Sequence, residues 1–218
     1  SSSGEDKGSW SDLLKPGILV AVLAGCAIAI LGQFMGVNAV LYYGPKIFSE
    51  AGFDNPMFST VLVGLVNFAT TVLAVFIIDR VGRKQLIYWG VSGMIICLMA
   101  IGIYFATGGA LGNGFMLAFF LAYVFCCAIS ISAIVFVLLS EMYPNSIRGR
   151  AMSLAGFMLW VGTYLVGQLT PVLLEWSQAG TFFIFAVMCV PYMLIMWKVI
   201  PETTGKTLEE IEEYWTKR

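Results

Sequence analysis

The sequence predicts an all-α integral membrane protein with six transmembrane helices and a short amphipathic helix after them. Of its 218 residues, 59% are hydrophobic and 11% are charged, whereas a soluble domain is about half apolar and about a quarter charged. The apolar residues form six long runs separated by short polar or charged segments. Each run can cross a bilayer as a helix, which takes about 20 residues.

The six runs follow one another through residues 17–200, which we predict to be one transmembrane domain. A polar lead-in at 1–16 precedes this domain, and a charged tail at 201–218 follows it. The predicted spans are 17–48, 57–78, 85–107, 114–139, 151–174 and 181–200. The first span is long for one crossing, which is typical of a tilted or kinked helix.

The charged tail predicts one further helix. Leu208, Ile211 and Trp215 recur in it at helical spacing, with pairs of glutamates between them. This spacing places the apolar side chains on one face and the carboxylates on another. We therefore expect a short amphipathic helix that lies on the membrane face.

The first span carries polar and helix-breaking residues where hydrocarbon would surround a simple anchor. Gln33 and Asn38 are amides, which are costly in hydrocarbon unless they are hydrogen-bonded. Gly36 and Pro45 favour a departure from regular helix. The combination predicts a helix that bends or unwinds near the middle of the membrane, as solute pathways require. Helix–helix contact through small residues and amides remains open as the alternative.

Basic residues are distributed very unevenly between the two sides of the predicted bundle. With six spans both termini share one side, and eleven of the 12 lysines and arginines lie there, leaving only Lys46 on the other. Because basic loops stay in the cytoplasm, we predict that the termini and the loops at 79–84 and 141–150 are cytoplasmic. We expect the protein in the plasma (inner) membrane.

Enzymatic, metal-binding and nucleic-acid-binding functions find no support in the sequence. Histidine, the commonest general base and metal ligand, does not occur. The five cysteines fall in apolar runs without the spacing of metal ligands. The net charge is -1 and no basic patch is available for phosphates. We expect no cofactor and no nucleic acid partner, and a protein that binds and moves a solute rather than transforming it.

Four segments of the chain resemble, in order, the motifs of one family. They are Gln33-x-x-Gly36-x-Asn38-x-x-x-Tyr42-Tyr43, then 79–84 (DRVGRK), 140–150 (SEMYPNSIRGR) and 201–210 (PETTGKTLEE). Each alone is a weak signal, but four at family spacing over nearly the whole chain are a strong one. The chain thus resembles the sugar porters of the major facilitator superfamily, such as xylose–proton symporters and glucose transporters. It resembles their C-terminal six-helix half, helices seven to twelve.

The resemblance, together with the chemistry of a sugar, points to a set of substrate contacts. Sugar hydroxyls both donate and accept hydrogen bonds, as amides do, and aromatic rings cover the apolar face of a sugar. The candidate substrate residues are the amides Gln33, Asn38 and Asn67 and the aromatic residues Tyr42, Phe136 and Trp160. An interhelical hydrogen bond remains the alternative for Asn67, and core or lipid-facing packing for Phe136 and Trp160.

The sequence departs from the family pattern at three places. The family usually opens its first motif with two glutamines, where this chain has Gly32 and Gln33. Its Gly-Pro-x-x-Trp in the tenth helix corresponds here to 132–136 (SAIVF), and Leu159 replaces an amide in the eleventh helix. We therefore expect a family-like scaffold whose substrate is a sugar with fewer hydroxyls engaged or another small polar solute.

The charged loops carry a second candidate site. By resemblance it holds the two halves of the transporter in the outward-facing state and loosens when the protein opens inward. Its predicted members are Asp79, Arg80, Arg83, Glu141, Arg148 and Glu202. Arginine suits this role because its planar fork binds a carboxylate through two hydrogen bonds. A plain topological signal remains the alternative for the basic residues.

The resemblance implies transport of a sugar or related small polar solute by alternating access, with the solute held between two six-helix halves. This chain would be one of those halves. The expected partners are therefore the solute, the lipid bilayer, and the missing N-terminal half or a second copy of the chain. A sugar sensor that does not transport, and a membrane scaffold without a ligand, remain the alternatives.

Overall fold

The computed structural model describes residues 13–37, 44–46, 48–49, 52, 54–203 and 205–217, and in these ranges the regular structure is helical. The helices are α1 (Ile18–Phe34), α2 (Pro56–Val81), α3 (Arg83–Ala106), α4 (Asn113–Cys127), α5 (Ala133–Met142), α6 (Arg148–Trp176), α7 (Gln178–Lys198) and α8 (Leu208–Thr216). A π-helical turn at Ala128–Ser132 joins α4 to α5, so that these three elements form one continuous span.

Five segments are long and apolar enough to cross a membrane. They are Thr60–Val81, Arg83–Ala106, Asn113–Met142, Arg148–Trp176 and Gln178–Lys198. These segments confirm the second to sixth predicted spans. The first predicted span differs, because its regular helix α1 covers 17 residues and ends at Phe34.

Some of the helices begin at residues whose side chains satisfy a free backbone amide. Asn55 Oδ1 accepts a hydrogen bond from the Phe58 amide, and Pro56 occupies the first position of α2. A single residue, Gly82 with φ 97°, separates α2 from α3. Ser177 separates α6 from α7 in the same way, and its hydroxyl accepts from the Gly180 amide at 2.9 Å. Such short connections hold consecutive helices side by side.

The helices pack around one contiguous hydrophobic core. α1 packs against α6 and α7, while α3 packs against α4 and α7. Ile28, Val91 and Phe182 are among the fully buried side chains. By contrast, α2 and α6 expose many large apolar side chains. A surface of this kind needs lipid or another protein segment to cover it.

Helix α8 confirms the predicted tail helix but packs differently from the expectation. Its apolar residues Ile211 and Trp215 are buried against the protein rather than presented to a membrane face. The indole nitrogen of Trp215 donates to the Met142 carbonyl at 3.0 Å, at the end of α5. Gly17 makes room for it, since a Cβ there would lie 2.3 Å from the Trp215 carbonyl oxygen. The last carbonyls of α5 lack partners within the helix, and Trp215 supplies one.

Candidate functional site

The end of α1 is an interruption of helical structure within an apolar run. Gly36 has φ 88°, a conformation that strongly favours glycine. A Cβ at this position would lie 2.7 Å from the ring of Phe185. The Met35 carbonyl, released by the interruption, accepts a hydrogen bond from the buried Tyr123 hydroxyl at 2.8 Å. The predicted break near Gly36 is therefore confirmed.

Gln33 lies one residue before the last residue of α1 and is buried, with 6% of its surface exposed. Its Oε1 accepts a hydrogen bond from the Thr163 hydroxyl of α6 at 3.1 Å. Gly162 allows this approach, because a side chain there would lie 3.1 Å from Gln33 Cβ. The amide thus faces α6 and not lipid, and its hydrogen bond also matches the alternative of helix–helix contact.

The other predicted substrate residues are spread over three helices or lie outside the described residues. Asn67 is half-buried in α2. Phe136 in α5 is 40% exposed and Trp160 in α6 is 68% exposed. Asn38 and Tyr42 belong to the part of the chain that the structure does not describe. The three residues that the structure does describe therefore lie on three different helices.

A small apolar cavity of about 180 Å³ adjoins the break in α1. Phe34, Val166 and Phe185 are among its lining residues, which come from α1, α6 and α7. None of the four predicted substrate residues that the structure describes lines it. Its apolar walls do not offer the hydrogen-bonding groups that a sugar requires.

The charged residues meet at one end of the bundle, where α2 joins α3 and α5 approaches α6. We call this the charged end. Arg83 lies at its centre and is almost buried. Its Nη1 contacts Asp79 Oδ1 at 3.0 Å, and its Nη2 contacts Glu141 Oε1 at 2.7 Å. One guanidinium therefore joins the α2–α3 connection to α5 through the forked geometry that arginine provides.

Residues near the tail extend this network. The Thr203 hydroxyl donates to Glu141 Oε2. Glu202 accepts from the Lys84 backbone amide at 3.1 Å, and the Lys84 ammonium donates to the Ile200 carbonyl at 2.6 Å. Sequence reasoning missed Thr203 and Lys84, although both lie within the quoted motifs, because it considered only pairs of opposite charges.

Two predicted members of the charged site are not paired as expected. Arg80 is exposed and forms no ion pair with the described residues. Arg148 donates from Nη2 to the Tyr143 carbonyl at 3.2 Å rather than to a carboxylate. The structure thus brings together Asp79, Arg83 and Glu141 directly, and joins Glu202 to them through Thr203, whose amide donates to Glu202 Oε1 at 3.1 Å.

Comparison with known proteins shows where this arrangement belongs. The model of the sugar (and other) transporter family matches residues 1–215. The chain belongs to this family. It is 39% identical to the arabinose-proton symporter of Bacillus subtilis over 219 aligned positions, covering 98% of this chain and 46% of the symporter. It is 38% identical to the D-xylose-proton symporter of Escherichia coli, covering 93% of this chain and 43% of that protein.

Solved structures extend the comparison to three dimensions. The proton:xylose symporter bound to 6-bromo-6-deoxy-D-glucose superposes with a TM-score of 0.81 at 37% identity, over 89% of this chain and 42% of that one. The inward-open xylose transporter from E. coli matches equally well, with a TM-score of 0.81 at 36% identity, over 90% of this chain and 42% of that one. The chain spans about half the length of the curated relatives it matches. It has the all-helical membrane fold of one half of a major facilitator transporter.

Proposed function

We propose that this chain is one half of a transporter that moves a sugar or a related small polar solute across a membrane by alternating access. The observation that carries the proposal is the break in α1 beside the buried amide of Gln33, in a chain whose relatives include sugar–proton symporters. A broken helix releases backbone groups, and an amide both donates and accepts, so together they can replace the water around a sugar.

The proposed substrate site comprises Gln33, Asn38, Tyr42, Asn67, Phe136 and Trp160. Phe136 and Trp160 are exposed in this half, which agrees with a site that a second six-helix half completes from the opposite side. That half is either the missing N-terminal domain or another copy of the chain. We propose residues 17–200 as the transmembrane domain and 201–218 as a cytoplasmic tail. Both termini would face the cytoplasm at the plasma membrane.

The experiment is uptake of labelled arabinose, xylose and glucose into liposomes that contain the assembled transporter. We expect saturable uptake of at least one of them, and its loss on Asn38→Leu with expression nearly unchanged, because lipid accepts an apolar side chain. Gln168→Leu is the matched control, since Gln168 is an exposed amide of α6 outside the proposed site. Binding without uptake would indicate a sensor, and neither binding nor uptake would indicate a scaffold.

We further propose that Asp79, Arg83 and Glu141, with Glu202, stabilise the outward-facing state of the assembled transporter. Arg83→Ala or Glu141→Ala should shift the population towards the inward-facing state, because either change removes the ion pair that joins α3 to α5. Distances between spin labels on the two halves measure this shift. Lys217→Ala removes an exposed ion pair with Glu213 and serves as control. A large loss of solute affinity in one locked conformation, without a population shift, would contradict this role.

A further inference from the structure

A second cavity lies at the charged end, away from the proposed substrate site. Its volume is about 550 Å³, within the range of about 300–1,000 Å³ typical of small-molecule sites. It opens between the ends of α2, α3, α5 and α6 and the segment before α8. Its polar lining residues include Asp79, Arg83, Ser140, Glu141, Arg148 and Lys206.

The two carboxylates of this cavity already have partners. Glu141 accepts from Arg83 with one oxygen and from Thr203 with the other. Asp79 is paired with Arg83 as well. Most of the acceptor capacity of the cavity is therefore engaged within the chain.

Two of its three cations are not paired. Arg148 and Lys206 form no ion pair within the part of the chain that the structure describes. Arg148 donates to the Tyr143 carbonyl from Nη2, while its Nε is buried without a hydrogen-bond partner. A buried donor left unpaired is costly, so Arg148 keeps hydrogen-bonding capacity that the described residues do not use. Three cations against two carboxylates give the lining a net charge of +1.

We propose that this cavity binds a phosphate group between Arg148 and Lys206, as a second ligand site distinct from the site of the transported solute. A phosphate has three or four acceptor oxygens, so it can accept hydrogen bonds from the Arg148 guanidinium and the Lys206 ammonium together. A carboxylate has only two oxygens. The cavity volume exceeds that of a bare phosphate and leaves room for an organic group attached to it.

Bound phosphate would link two parts of the chain that are distant in sequence. Arg148 begins α6, whereas Lys206 lies in the segment between α7 and α8. The ligand therefore stabilises the packing of this segment on the α5–α6 connection. The phosphate can belong to a soluble ester or to a lipid headgroup, since both present the same charged oxygens.

The test uses the assembled transporter reconstituted in a neutral detergent, at constant ionic strength set with chloride. Inorganic phosphate should raise the unfolding temperature saturably if the site takes soluble phosphates. If the site takes a headgroup, phosphate has no effect, but native mass spectrometry should show retained phosphatidylglycerol after exchange from mixed lipids. Either result supports the proposed site if substitutions of its cations weaken the observed binding.

Arg148→Gln and Lys206→Gln should each weaken binding by about tenfold or more, because each removes a charge-assisted hydrogen bond. Lys206 is exposed, so its substitution tests the site without a risk to folding. Arg150→Gln and Lys217→Gln each remove one positive charge from a residue outside the cavity, and they should leave binding unchanged. The proposal is overturned if neither ligand binds, or if the controls weaken binding as much as the cavity variants do.

Discussion

Two apolar segments of this protein depart from regular α-helix, and they do so by different means. In the first, α1 ends at Phe34, and Gly36 turns the chain with φ 88° against the ring of Phe185. In the second, α4 passes into the π-helical turn Ala128–Ser132 and continues as α5. The second departure contains neither glycine nor proline.

The two departures also satisfy their released carbonyls differently. The Met35 carbonyl receives its hydrogen bond from another helix, through the Tyr123 hydroxyl of α4. At the π turn, Ser130 donates from its own hydroxyl to the Cys126 carbonyl at 2.6 Å. The break in α1 therefore depends on packing against a neighbouring helix. The π turn depends on a hydrogen bond within its own segment and on close contact with α3. Substitutions at the two places should therefore have different effects.

The largest effect is expected where α3 contacts the π turn. A Cβ at Gly90 would lie 2.7 Å from the Cys126 carbonyl oxygen and 2.4 Å from Ser130 Cβ. Because backbone is in the way, Gly90→Ala should lower the free energy of unfolding by about 3 kcal/mol. Gly156→Ala is the control: apart from its chain neighbours and the backbone of its own helix, no described atom lies within 4 Å of its Cβ position, and the change should stabilise α6 by up to about 1 kcal/mol. Denaturant titration in detergent measures the free energy of unfolding of both variants. A change near zero for Gly90→Ala would mean that the π turn can move away from α3 without loss of stability.

A smaller effect is expected at the break in α1. Gly36→Ala should cost about 2 kcal/mol, because a left-handed conformation is strained for alanine and the Phe185 ring must move. The double variant Gly36→Ala with Phe185→Leu separates these causes. It should recover the steric part of the loss while the conformational strain remains. Complete recovery in the double variant would show that the positive φ is not required.

The smallest effect is expected from the serine of the π turn. Ser130→Ala leaves the Cys126 carbonyl without its side-chain donor in a fully buried place, which should cost about 1 kcal/mol. Ser153→Ala is a close control, since its hydroxyl makes the same type of bond, to the Gly149 carbonyl, on an exposed part of regular helix. Equal losses in the two variants would argue against special support of the π turn by Ser130.

The sequence predicted the break that rests on glycine and missed the π turn. Gly36 is visible as a residue type, since positive φ favours glycine. The π turn Ala128–Ser132 ends where the family pattern has Gly-Pro and this chain has Ser132 and Ala133, and none of its residue types indicates a break. A π turn depends on how the span packs against α3, and sequence periodicity does not report such packing.

The candidate sites were predictable to different degrees. Opposite charges in two loops sufficed to predict the contact of Arg83 with Asp79 and Glu141. The partner of Arg148 is a backbone carbonyl, which no sequence pattern identifies. The tail helix followed from its spacing, but the burial of Trp215 depends on a free carbonyl of α5 and on the space above Gly17.

The position of α8 has a consequence for the biosynthesis of the protein. Membrane helices leave the ribosome in chain order, yet α1 packs against α6, α7 and α8, which are made last. Until those segments are made, α1 lacks the neighbours within this chain that cover its glycines and Gln33. Contacts of such long sequence separation form late and slowly. Synthesis of the chain therefore includes an interval in which α1 is open to incorrect contacts.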